Sequence, residues 1–447
     1  MFTYPHIQKT DKLVLKLIQL ETTRQAETLM MIPSENYASK AVEEAMSSPF
    51  GNKYAEGYPS RRYYQGNEFA DKLETLCIDR AKELFDVPFV NVQPHSGSPA
   101  NFAVEMAILA PGDTFMGLSL ASGGHLTHGA NLTAGARFFK SVQYGVTPDG
   151  LLDYRAIEQL AIEAKPKLII AGTTAYPRLI DWERFAHIAK KVDAFLMVDI
   201  AHLAGLIAGH AYPSPVPYAD IVTTTTHKTL RGPRGAMIMV TDKGLKRDPD
   251  LGKRINTTII PGIQGGPHLN SIAALAVALK EAQSVKFHKY AKQIIVNAKA
   301  LASGLTEHGF KLVTAGTDSH LIVADMSQYG VLGNTMAEAC EQAGIIFNRN
   351  TVPHDPSSPF YPSGIRLGTP AITTRKMKEK EMIMIASWLL IMAEDLKITI
   401  SKLKMSIDDQ KKRDNRQAII RKLHWPKVIS AKVKELCKKY PIPESYI

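Results

Sequence analysis

The chain has 447 residues, of which 45% are hydrophobic and 22% charged, a composition typical of a globular protein with two or three domains. Its three cysteines are far apart and odd in number, which excludes a disulfide framework and favours a reducing compartment. The formal net charge of +11 suggests nucleic-acid binding, but the charge is unevenly distributed.

The positive charge is concentrated near the C-terminal end. Residues 401–440 contain thirteen lysines and arginines against four aspartates and glutamates, so the rest of the chain is close to neutral. This pattern favours a solvated helical face over a nucleic-acid-binding surface. We see no signal peptide, and the longest apolar run, residues 382–393, is too short to span a bilayer. We therefore expect a cytoplasmic protein with no membrane partner.

The N-terminal part begins with a predicted amphipathic helix over residues 11–31, in which Leu13, Leu17 and Leu20 recur at helical spacing. The segment MIPSENYAS follows as a turn. Residues 51–66, GNKYAEGYPSRRYYQG, contain too many turn residues for a helix. This tyrosine-rich loop is either a binding surface or an ordinary exposed turn, and EFADKLETLCIDRAKELF after it predicts a helix.

Small residues precede the next predicted helix, which runs from about Pro99 to Leu109. Ser96, Gly97 and Ser98 lie at its start, where unpaired backbone N–H groups and hydroxyls favour an anion. The pattern predicts a phosphate site, with a simple serine cap as the alternative. It is not a Walker loop, because no lysine follows the glycine at the required spacing.

Two histidines, His125 and His128, lie in a glycine-rich loop. Three-residue spacing raises the possibility of a metal pair, but no cysteine or carboxylate cluster accompanies them. Stacking of His125 on a flat ligand is the better hypothesis, and no metal is expected.

Two charged residues follow buried strands. Asp199 ends the apolar strand 195–198, and Lys228 follows the threonine-rich strand of IVTTTTHKTLRGPRG. Strands alternating with helices, with polar residues at their carboxyl ends, predict a mainly parallel sheet covered by helices on both faces. A lysine desolvated at this position can act as a Schiff-base nucleophile, although an ordinary surface lysine is the commoner case.

After Lys228 the sequence predicts a strand at AMIMV, the loop PGIQGGPHLN, and a long helical stretch from Ser271 to Leu305 that leads into a smaller domain. In that domain, Arg366 stands in the apolar, glycine-flanked segment SGIRLGTP. A guanidinium there needs a carboxylate partner, either a ligand or a structural ion pair.

These parts together are what pyridoxal phosphate requires. A lysine can form the Schiff base, an aspartate can keep the pyridine nitrogen protonated, and a helix start can bind the phosphate. A distant arginine can hold the carboxylate of an amino acid.

Nine segments resemble the serine hydroxymethyltransferase family: MIPSENYAS, NKYAEGYPSRRYY, VQPHSGSPAN, GGHLTHG, AYPRLID, LMVDIAHLAGL, VTTTTHKTLRGPRGA, PGIQGGP and SGIRLGTPAITTR. The resemblance runs from about Leu13 to Thr374 and returns at VKELCKKYP.

The resemblance implies an α/β fold of the aspartate-aminotransferase-like type, fold type I. A large domain with a mainly parallel seven-stranded sheet would be joined to a smaller α+β C-terminal domain. We expect an N-terminal helical arm over residues 1–35, a large domain over residues 36–280 and a small domain over residues 281–447. The implied reaction is the reversible transfer of the serine hydroxymethyl carbon to tetrahydrofolate, giving glycine and 5,10-methylenetetrahydrofolate.

Residue roles also follow from the resemblance. It implies that Lys228 holds pyridoxal 5'-phosphate covalently, Asp199 pairs with the ring nitrogen and His125 stacks on the ring. The other cofactor-binding positions implied are Ser96, Gly97, Ser98, Thr174, His202, Tyr54, Gly265 and Gly266. The implied catalytic residues are Lys228, Asp199, His125, His227, Glu56 and Tyr64, and the implied substrate-binding residues are Arg366, Ser34, Tyr64 and Glu56. Tyr63, Leu120, Gly124, Leu126 and Asn350 match the folate pocket. Tyr54, Glu56 and Tyr64 would reach across a homodimer interface, so a dimer with shared sites, or a tetramer built from it, is expected.

Four features depart from the family pattern. Thr174 replaces the usual serine, QGNEF follows Tyr64 in place of a glycine pair, and Ala236 stands where glycine is common. A basic insertion of about 25 residues lies near residues 400–425.

Two alternatives stay open at this point. One is a relative that acts on α-methylserine or as a threonine aldolase. The other is an RNA- or polyanion-binding scaffold that uses the basic insertion. A scaffold that had lost activity is expected to lack Lys228, Asp199, Glu56 or Arg366, and all four are present.

Overall fold

The computed structural model describes residues 4–443. These residues divide into two compact units: the central unit is Ala41–Lys292, and the flanking unit comprises the described residues on either side of it. The sequence predicts boundaries after residues 35 and 280, whereas the units change over at residues 40 and 292. The N-terminal helices thus group with the C-terminal part of the chain.

The described residues form the following α-helices: α1 Pro5–Thr10, α2 Lys12–Glu27, α3 Lys40–Met46, α4 Glu68–Phe85, α5 Gly97–Ile108, α6 Ala134–Phe138, α7 Tyr154–Ala164, α8 Trp182–Lys191, α9 Ala204–Ala208, α10 Asp242–Arg247, α11 Leu251–Thr257, α12 Leu269–Ala282, α13 Val285–Glu307, α14 Gly333–Gln342, α15 Pro370–Thr374, α16 Glu379–Lys402, α17 Arg413–Arg421 and α18 Pro426–Lys439. Several begin at a polar cap that binds unpaired N–H groups. Asp153, for example, accepts hydrogen bonds from the first turn of α7.

The strands in the same part of the chain are β1 Leu29–Met30, β2 Gly57–Tyr58, β3 Arg61–Arg62, β4 Phe89–Asn91, β5 Thr114–Leu118, β6 Lys140–Tyr144, β7 Leu168–Gly172, β8 Phe195–Asp199, β9 Ile221–Thr225, β10 Ala236–Val240, β11 Lys311–Leu312, β12 Leu321–Asp325, β13 Ile345–Ile346, β14 Asn348–Asn350 and β15 Gly364–Gly368. β2 and β3 pair within the tyrosine-rich loop, which is otherwise free of long elements as predicted.

The central unit contains a seven-stranded sheet in the order β4-β10-β9-β8-β7-β5-β6. β10 runs antiparallel to both of its neighbours, and the remaining pairs are parallel. The predicted mainly parallel α/β fold is therefore confirmed. Strands β7, β9 and β10 are buried along their whole length, which explains their continuous apolar or threonine-rich sequences.

The threonines of β9 are buried without loss of hydrogen bonding. Thr223 donates to the side chain of Asn101, Thr224 to the carbonyl of Thr225, and Thr226 just beyond the strand to the carbonyl of Pro233. A buried hydroxyl that has a partner avoids most of the cost of its desolvation. The threonine run can thus be buried within β9 and just beyond it.

The flanking unit contains an antiparallel sheet in the order β11-β12-β15-β14, with β1 paired parallel to β13. Helices α14, α16, α17 and α18 contribute to its apolar core. This agrees with the expected smaller α+β domain.

The basic insertion is a packed part of the flanking unit. It forms a short turn at residues 409–411 and then α17. Gln410, which is buried, accepts hydrogen bonds from the Leu332 amide and the Thr335 hydroxyl at the start of α14 and donates to the carbonyl of Gly330. Arg416 forms a salt bridge with Glu338 at 2.8 Å. The insertion thus supplies the cap that α14 lacks from its own N-terminal residue.

Arg375 links distant parts of the same unit. The residue is 2% exposed, and its guanidinium donates to the carbonyls of Thr28, Ala26, Cys437 and Tyr440 at 2.6–3.0 Å. These carbonyls lie at or near the last turns of α2 and α18, where no intrahelical donor is available. One buried arginine therefore caps both helices.

One helix prediction is wrong. The stretch Ser271–Leu305 is divided between α12 and α13, with a break at residues 283–284. The Ser284 side chain bonds the Glu281 carbonyl and accepts from the Phe287 amide, so it ends one helix and caps the next. An alanine-rich pattern on both sides hides this break from a periodicity argument.

Candidate active site

Lys228 lies three residues beyond the carboxyl end of β9. Its Nζ is 2.9 Å from the Thr225 hydroxyl, and the side chain is half-buried. Thr225 also contacts Gly97, since a Cβ on that glycine would lie 2.7 Å from the threonine methyl group. Lys228 and the start of α5 therefore both contact Thr225. A side chain at position 97 would collide with the Thr225 methyl group, so glycine is required there.

Asp199 ends the neighbouring strand β8 and is the most extensively hydrogen-bonded carboxylate of the site. Its Oδ2 accepts from Asn101 Nδ2 at 2.8 Å and lies 3.1 Å from His128 Nε2, while Oδ1 accepts from the Ala201 amide at 2.9 Å. The close approach of β7 depends on Gly172, whose Cβ would lie 2.3 Å from the Asp199 carbonyl.

Burial alone would raise the pKa of Asp199. The hydrogen bonds that His128 and Asn101 donate outweigh burial and hold the pKa of Asp199 well below its usual range. The carboxylate is therefore ionised at neutral pH. A buried anion at a strand end suits a ligand that carries a proton on a ring nitrogen.

His125 follows Gly123 and Gly124 in the loop between β5 and α6. Burial and the charge of Lys228 lower its pKa to about 4 against the opposing charge of Asp199, so the imidazole is neutral at neutral pH. Its Nδ1 contacts the Thr127 hydroxyl at 2.8 Å. A neutral ring held in this way can stack on a flat ligand.

The start of α5 has the properties predicted for a phosphate site. Ser96 does not use its side chain to cap the helix, and the hydroxyls of Ser96 and Ser98 are exposed. The first intrahelical bond runs from the Ala100 amide to the Ser96 carbonyl, so the N–H groups of Gly97 and Ser98 have no intrahelical acceptor. Because α5 is twelve residues long, its dipole also favours an anion here.

Thr174 and His202 flank the strand ends. The Thr174 amide donates to the Gly123 carbonyl at 2.8 Å, so it lies beside the loop that carries His125. His202 is buried, and its carbonyl accepts from Thr229 at 3.0 Å, just beyond Lys228. Both lie next to elements of the predicted site.

A second cluster in the central unit brings together Tyr54, Glu56 and Tyr64. The two tyrosine hydroxyls lie 3.4 and 3.3 Å from the two carboxylate oxygens, and the rings pack edge to face at 5.3 Å. Gly265 lies beside the Glu56 carboxylate and Gly266 beside the Tyr54 ring. The negative charge of Glu56 raises the pKa of Tyr64.

His227 is mostly buried next to Lys228. Burial and the charges of Lys228 and Arg234 lower its pKa to about 3, and its Nδ1 has no hydrogen-bond partner within residues 4–443. A buried ring nitrogen without a partner suggests that a bound molecule or another chain completes this site.

The predicted folate positions fall into two groups. Leu120, Leu126 and Tyr63 of the central unit are exposed by 44%, 46% and 64%, and Gly124 packs so closely that a Cβ would lie 1.9 Å from the Leu118 carbonyl. Asn350 ends β14 of the flanking unit and donates to the Thr351 carbonyl.

Arg366 belongs to the flanking unit, in the middle of β15. Its side chain is buried, its Nε donates to Asn348 Oδ1 at 3.1 Å, and burial lowers its pKa to about 10. Ser34 lies in the same unit, directly after Pro33, which packs against Gly368. The MIPS segment thus lies beside the end of the strand that carries Arg366.

The sequence did not single out Asn101, Thr127 or Thr223. Asn101 bonds Asp199 and Thr127 bonds His125, while the Thr223 hydroxyl reaches Asp199 only through Asn101. The available signal was the position of Asn101, which is one helical turn after Gly97 and therefore on the same face of α5.

Two further observations concern the described residues alone. No group of three or more histidine, cysteine, aspartate or glutamate side chains in residues 4–443 is arranged to hold a metal ion, and His128 contacts Asp199 instead. Within the same residues, every helix is too short or too polar to cross a membrane.

A mainly parallel seven-stranded sheet, with a lysine, an aspartate and a helix start at one edge, defines a fold-type I pyridoxal-phosphate-dependent enzyme. The residues fit the cofactor because they offer an amine, an ionised carboxylate and an anion site.

The family model for serine hydroxymethyltransferase matches residues 7–389. A serine hydroxymethyltransferase of Acidothermus cellulolyticus is 53% identical over 381 residues, covering 85% of this chain and 88% of that protein. One of Legionella pneumophila (strain Corby) is 52% identical over 383 residues, covering 86% and 91%. Serine hydroxymethyltransferase 2 of Pseudomonas putida is 46% identical over 436 residues, covering 98% of each. The chain belongs to the serine hydroxymethyltransferase family.

Proposed function

We propose that the protein transfers the hydroxymethyl carbon of serine to tetrahydrofolate, reversibly, giving glycine and 5,10-methylenetetrahydrofolate. The observation that carries this proposal is the position of Lys228, just beyond the end of β9, and of the ionised Asp199 at the end of the adjacent strand β8. The family match and the names of its relatives support the substrate assignment.

Lys228 is the residue that holds pyridoxal 5'-phosphate covalently. When bound, the cofactor supplies an electron sink for the electron pair left by cleavage of the serine Cα–Cβ bond. Asp199 keeps a proton on the ring nitrogen, and His125 stacks on the ring. Thr225, 2.9 Å from Lys228 Nζ, orients the amine.

Ser96, Gly97 and Ser98 bind the cofactor phosphate. The proposal is supported by the exposed hydroxyls and by the unpaired N–H groups at the start of α5. Thr174 and His202 contribute from the loops beside the strand ends. The Thr174 methyl group crowds this region more than serine would, without loss of the hydroxyl.

Arg366 binds the carboxylate of serine or glycine, with Ser34 and Tyr64 as further substrate contacts. A guanidinium in apolar surroundings interacts strongly with a carboxylate, because little water competes for either charge. The burial that lowers the pKa of Arg366 to about 10 still leaves it charged at neutral pH.

Glu56 accepts and returns the proton of the serine hydroxyl. The hydroxyls of Tyr54 and Tyr64 lie beside its two oxygens, so they orient the carboxylate and remain available to a substrate. His227, with its unpaired Nδ1, is a further catalytic candidate. Tyr63, Leu120, Gly124, Leu126 and Asn350 are proposed to line the folate site.

We further propose a homodimer in which the second cluster, formed by Tyr54, Glu56, Tyr64, Gly265 and Gly266, completes the site of the neighbouring subunit. The exposure of Tyr54, 58%, and of Tyr64, 47%, supports this assignment, since large aromatic side chains rarely remain in solvent without a partner.

The deciding experiment is the absorption spectrum of the purified protein reconstituted with pyridoxal phosphate, then with glycine, then with glycine and tetrahydrofolate. We expect a bound-cofactor band, and a separate long-wavelength band that becomes strong when folate is added. In the wild type, borohydride is expected to reduce the Schiff base and so attach the cofactor permanently to the protein. Replacement of Lys228 by alanine is expected to abolish this attachment and to lower activity at least about 10³-fold.

A cofactor band that is indifferent to folate would contradict the folate-dependent reaction and favour an aldolase. Lack of any cofactor band after reconstitution would overturn the enzymatic proposal altogether. Lys167→Ala serves as the matched control, because Lys167 forms an exposed salt bridge with Asp113.

A further inference from the structure

The buried side of Asp199 is enclosed by neutral hydrogen-bond donors. Asn101 and His128, each 1% exposed, both contact Asp199 Oδ2. Neither residue is assigned a role by the predicted set of site residues. Their arrangement determines where the protons of the network lie.

The orientation of the Asn101 amide is fixed by its partners. Its oxygen accepts from the Thr223 hydroxyl at 2.7 Å, so its nitrogen must be the atom that faces Asp199. The same nitrogen donates its second proton to the Thr127 hydroxyl oxygen at 2.9 Å. Both donors and the acceptor of the amide are thus used.

The Thr127 hydroxyl, which accepts from Asn101, donates its own proton onward. Its oxygen lies 2.8 Å from His125 Nδ1, so that nitrogen is the acceptor and the proton of the neutral ring is on Nε2. One network therefore fixes both the carboxylate of Asp199 and the tautomer of His125.

His128 is fixed in the same way. The backbone amide of His125 donates to His128 Nδ1 at 3.3 Å, which places the ring proton on Nε2, the atom that faces Asp199. His128 is therefore a neutral donor, since the nitrogen that would have to take a second proton already accepts a hydrogen bond.

We infer that Asn101 and His128 are positioning residues, which hold Asp199 ionised and correctly oriented toward the cofactor ring nitrogen. This inference rests on the proposed function. Neutral donors stabilise the carboxylate without cancelling its charge, so the full negative charge remains to keep a proton on the ring. A lysine or imidazolium in their place would compete for that charge.

The test compares His128→Phe, His128→Gln and Asn101→Leu with the wild type. His128→Phe removes the donor, His128→Gln keeps an amide donor, and Asn101→Leu removes the amide while the side chain keeps nearly the same size. Tyr144→Phe is the matched control, because it removes one buried hydrogen bond, to the Ile170 carbonyl, elsewhere in the same sheet.

The decisive readout is the nitrogen-15 NMR shift of the ring nitrogen of labelled pyridoxal phosphate bound to each variant. For His128→Phe and Asn101→Leu we expect a shift toward unprotonated pyridine and a fall in kcat on the order of 10- to 100-fold, with KM for serine little changed. His128→Gln is expected to recover most of both, and Tyr144→Phe to match the wild type.

The outcomes are distinguishable. A wild type that neither binds the cofactor nor reacts with serine would overturn the proposed function. An active wild type whose His128→Phe and Asn101→Leu variants keep the native nitrogen shift and kcat would overturn this inference alone. Melting of the cofactor-free proteins checks folding. If His128→Phe does not fold, Asn101→Leu, which nearly preserves the size of the side chain, decides the question.

Discussion

Glu105 is the most unusual acid of the central unit. It lies on α5, one turn after Asn101, and is 1% exposed, and its Oε1 has no hydrogen-bond partner within residues 4–443. Its other oxygen packs against Gly135, where a Cβ would lie 2.0 Å away. Burial raises the pKa of Glu105 to about 8. The carboxyl group is therefore mostly neutral when the protein is folded at pH 7.

This raised pKa makes stability depend on pH. Between about pH 4.5 and 8 the folded protein keeps a proton on Glu105 that the unfolded chain loses, so this contribution to stability decreases as the pH rises through that range. Glu105→Gln cannot ionise and avoids the loss. We expect its free energy of unfolding, relative to the wild type, to be higher at pH 8 than at pH 5 by on the order of 2–4 kcal/mol.

Denaturant unfolding of the cofactor-free protein at the two pH values measures this difference. Glu163→Gln, at an exposed position of α7, is the control and is expected to show almost no pH-dependent change. If the two substitutions change the free energy of unfolding equally at both pH values, Glu105 is ionised in the folded protein.

At the scale of the element, the spacing of β7 and β8 depends on Gly172. Its φ is +131°, and a Cβ would lie 2.3 Å from the Asp199 carbonyl. Gly112 also has a positive φ, +87°, but nothing lies within 4 Å of its Cβ position. Substitution of Gly112 therefore tests backbone strain alone, whereas substitution of Gly172 adds a steric clash between the new Cβ and the Asp199 carbonyl.

We expect Gly112→Ala to destabilise the protein by about 1–2 kcal/mol, the cost of the left-handed backbone alone. Gly172→Ala is expected to cost at least about 2 kcal/mol more and to weaken cofactor binding, because Asp199 must move. Thermal melting with and without pyridoxal phosphate checks both statements. Equal melting temperatures for the two variants would contradict the steric argument.

The insertion stabilises α14 through Gln410. Gln410→Leu leaves the Leu332 amide, the Thr335 hydroxyl and the Gly330 carbonyl without this partner. We expect a loss on the order of 2–4 kcal/mol and faster hydrogen exchange in the first turn of α14. Gln417→Leu on α17 is the control, and a similar exchange rate in both variants would show that Gln410 is dispensable.

The sequence predicted elements well where the pattern is local. The apolar spacing of EFADKLETLCIDRAKELF matches α4, Glu68–Phe85, residue for residue. The buried strands that Asp199 ends and that Lys228 follows were also predicted, since a buried strand followed by a charged residue is a contiguous signal.

Contacts between residues far apart in the chain could not be predicted from the sequence. Asn101 binds Asp199 and Thr223, which are 98 and 122 residues away, so nothing near Asn101 in the chain reveals its role. The same holds for Gln410, whose partners Leu332 and Thr335 are 78 and 75 residues distant. Such residues become recognisable only when the sheet topology is known.

For the whole molecule, the proposed dimer predicts complementation between two inactive variants. If each site uses Lys228 of one subunit and Glu56 of the other, a heterodimer of Lys228→Ala and Glu56→Gln has one intact site and one doubly defective site. Random mixing of the subunits is then expected to recover about a quarter of wild-type activity.

Activity of the unfolded and jointly refolded mixture measures this recovery. Lys228→Ala mixed with Asp199→Ala is the control, because both residues belong to the same cluster and no site is restored. If the first mixture is as inactive as the control, the two clusters do not act across a dimer interface.

Arg375 has a consequence for the order in which the protein forms during synthesis. Its partners lie 347 residues before it, at Thr28, and 62 and 65 residues after it, at Cys437 and Tyr440. The central unit is one continuous stretch, Ala41–Lys292, and can fold as it leaves the ribosome. The flanking unit cannot close around Arg375 until α18 has emerged. The end of α2, although synthesised early, is therefore capped only after α18 has been made.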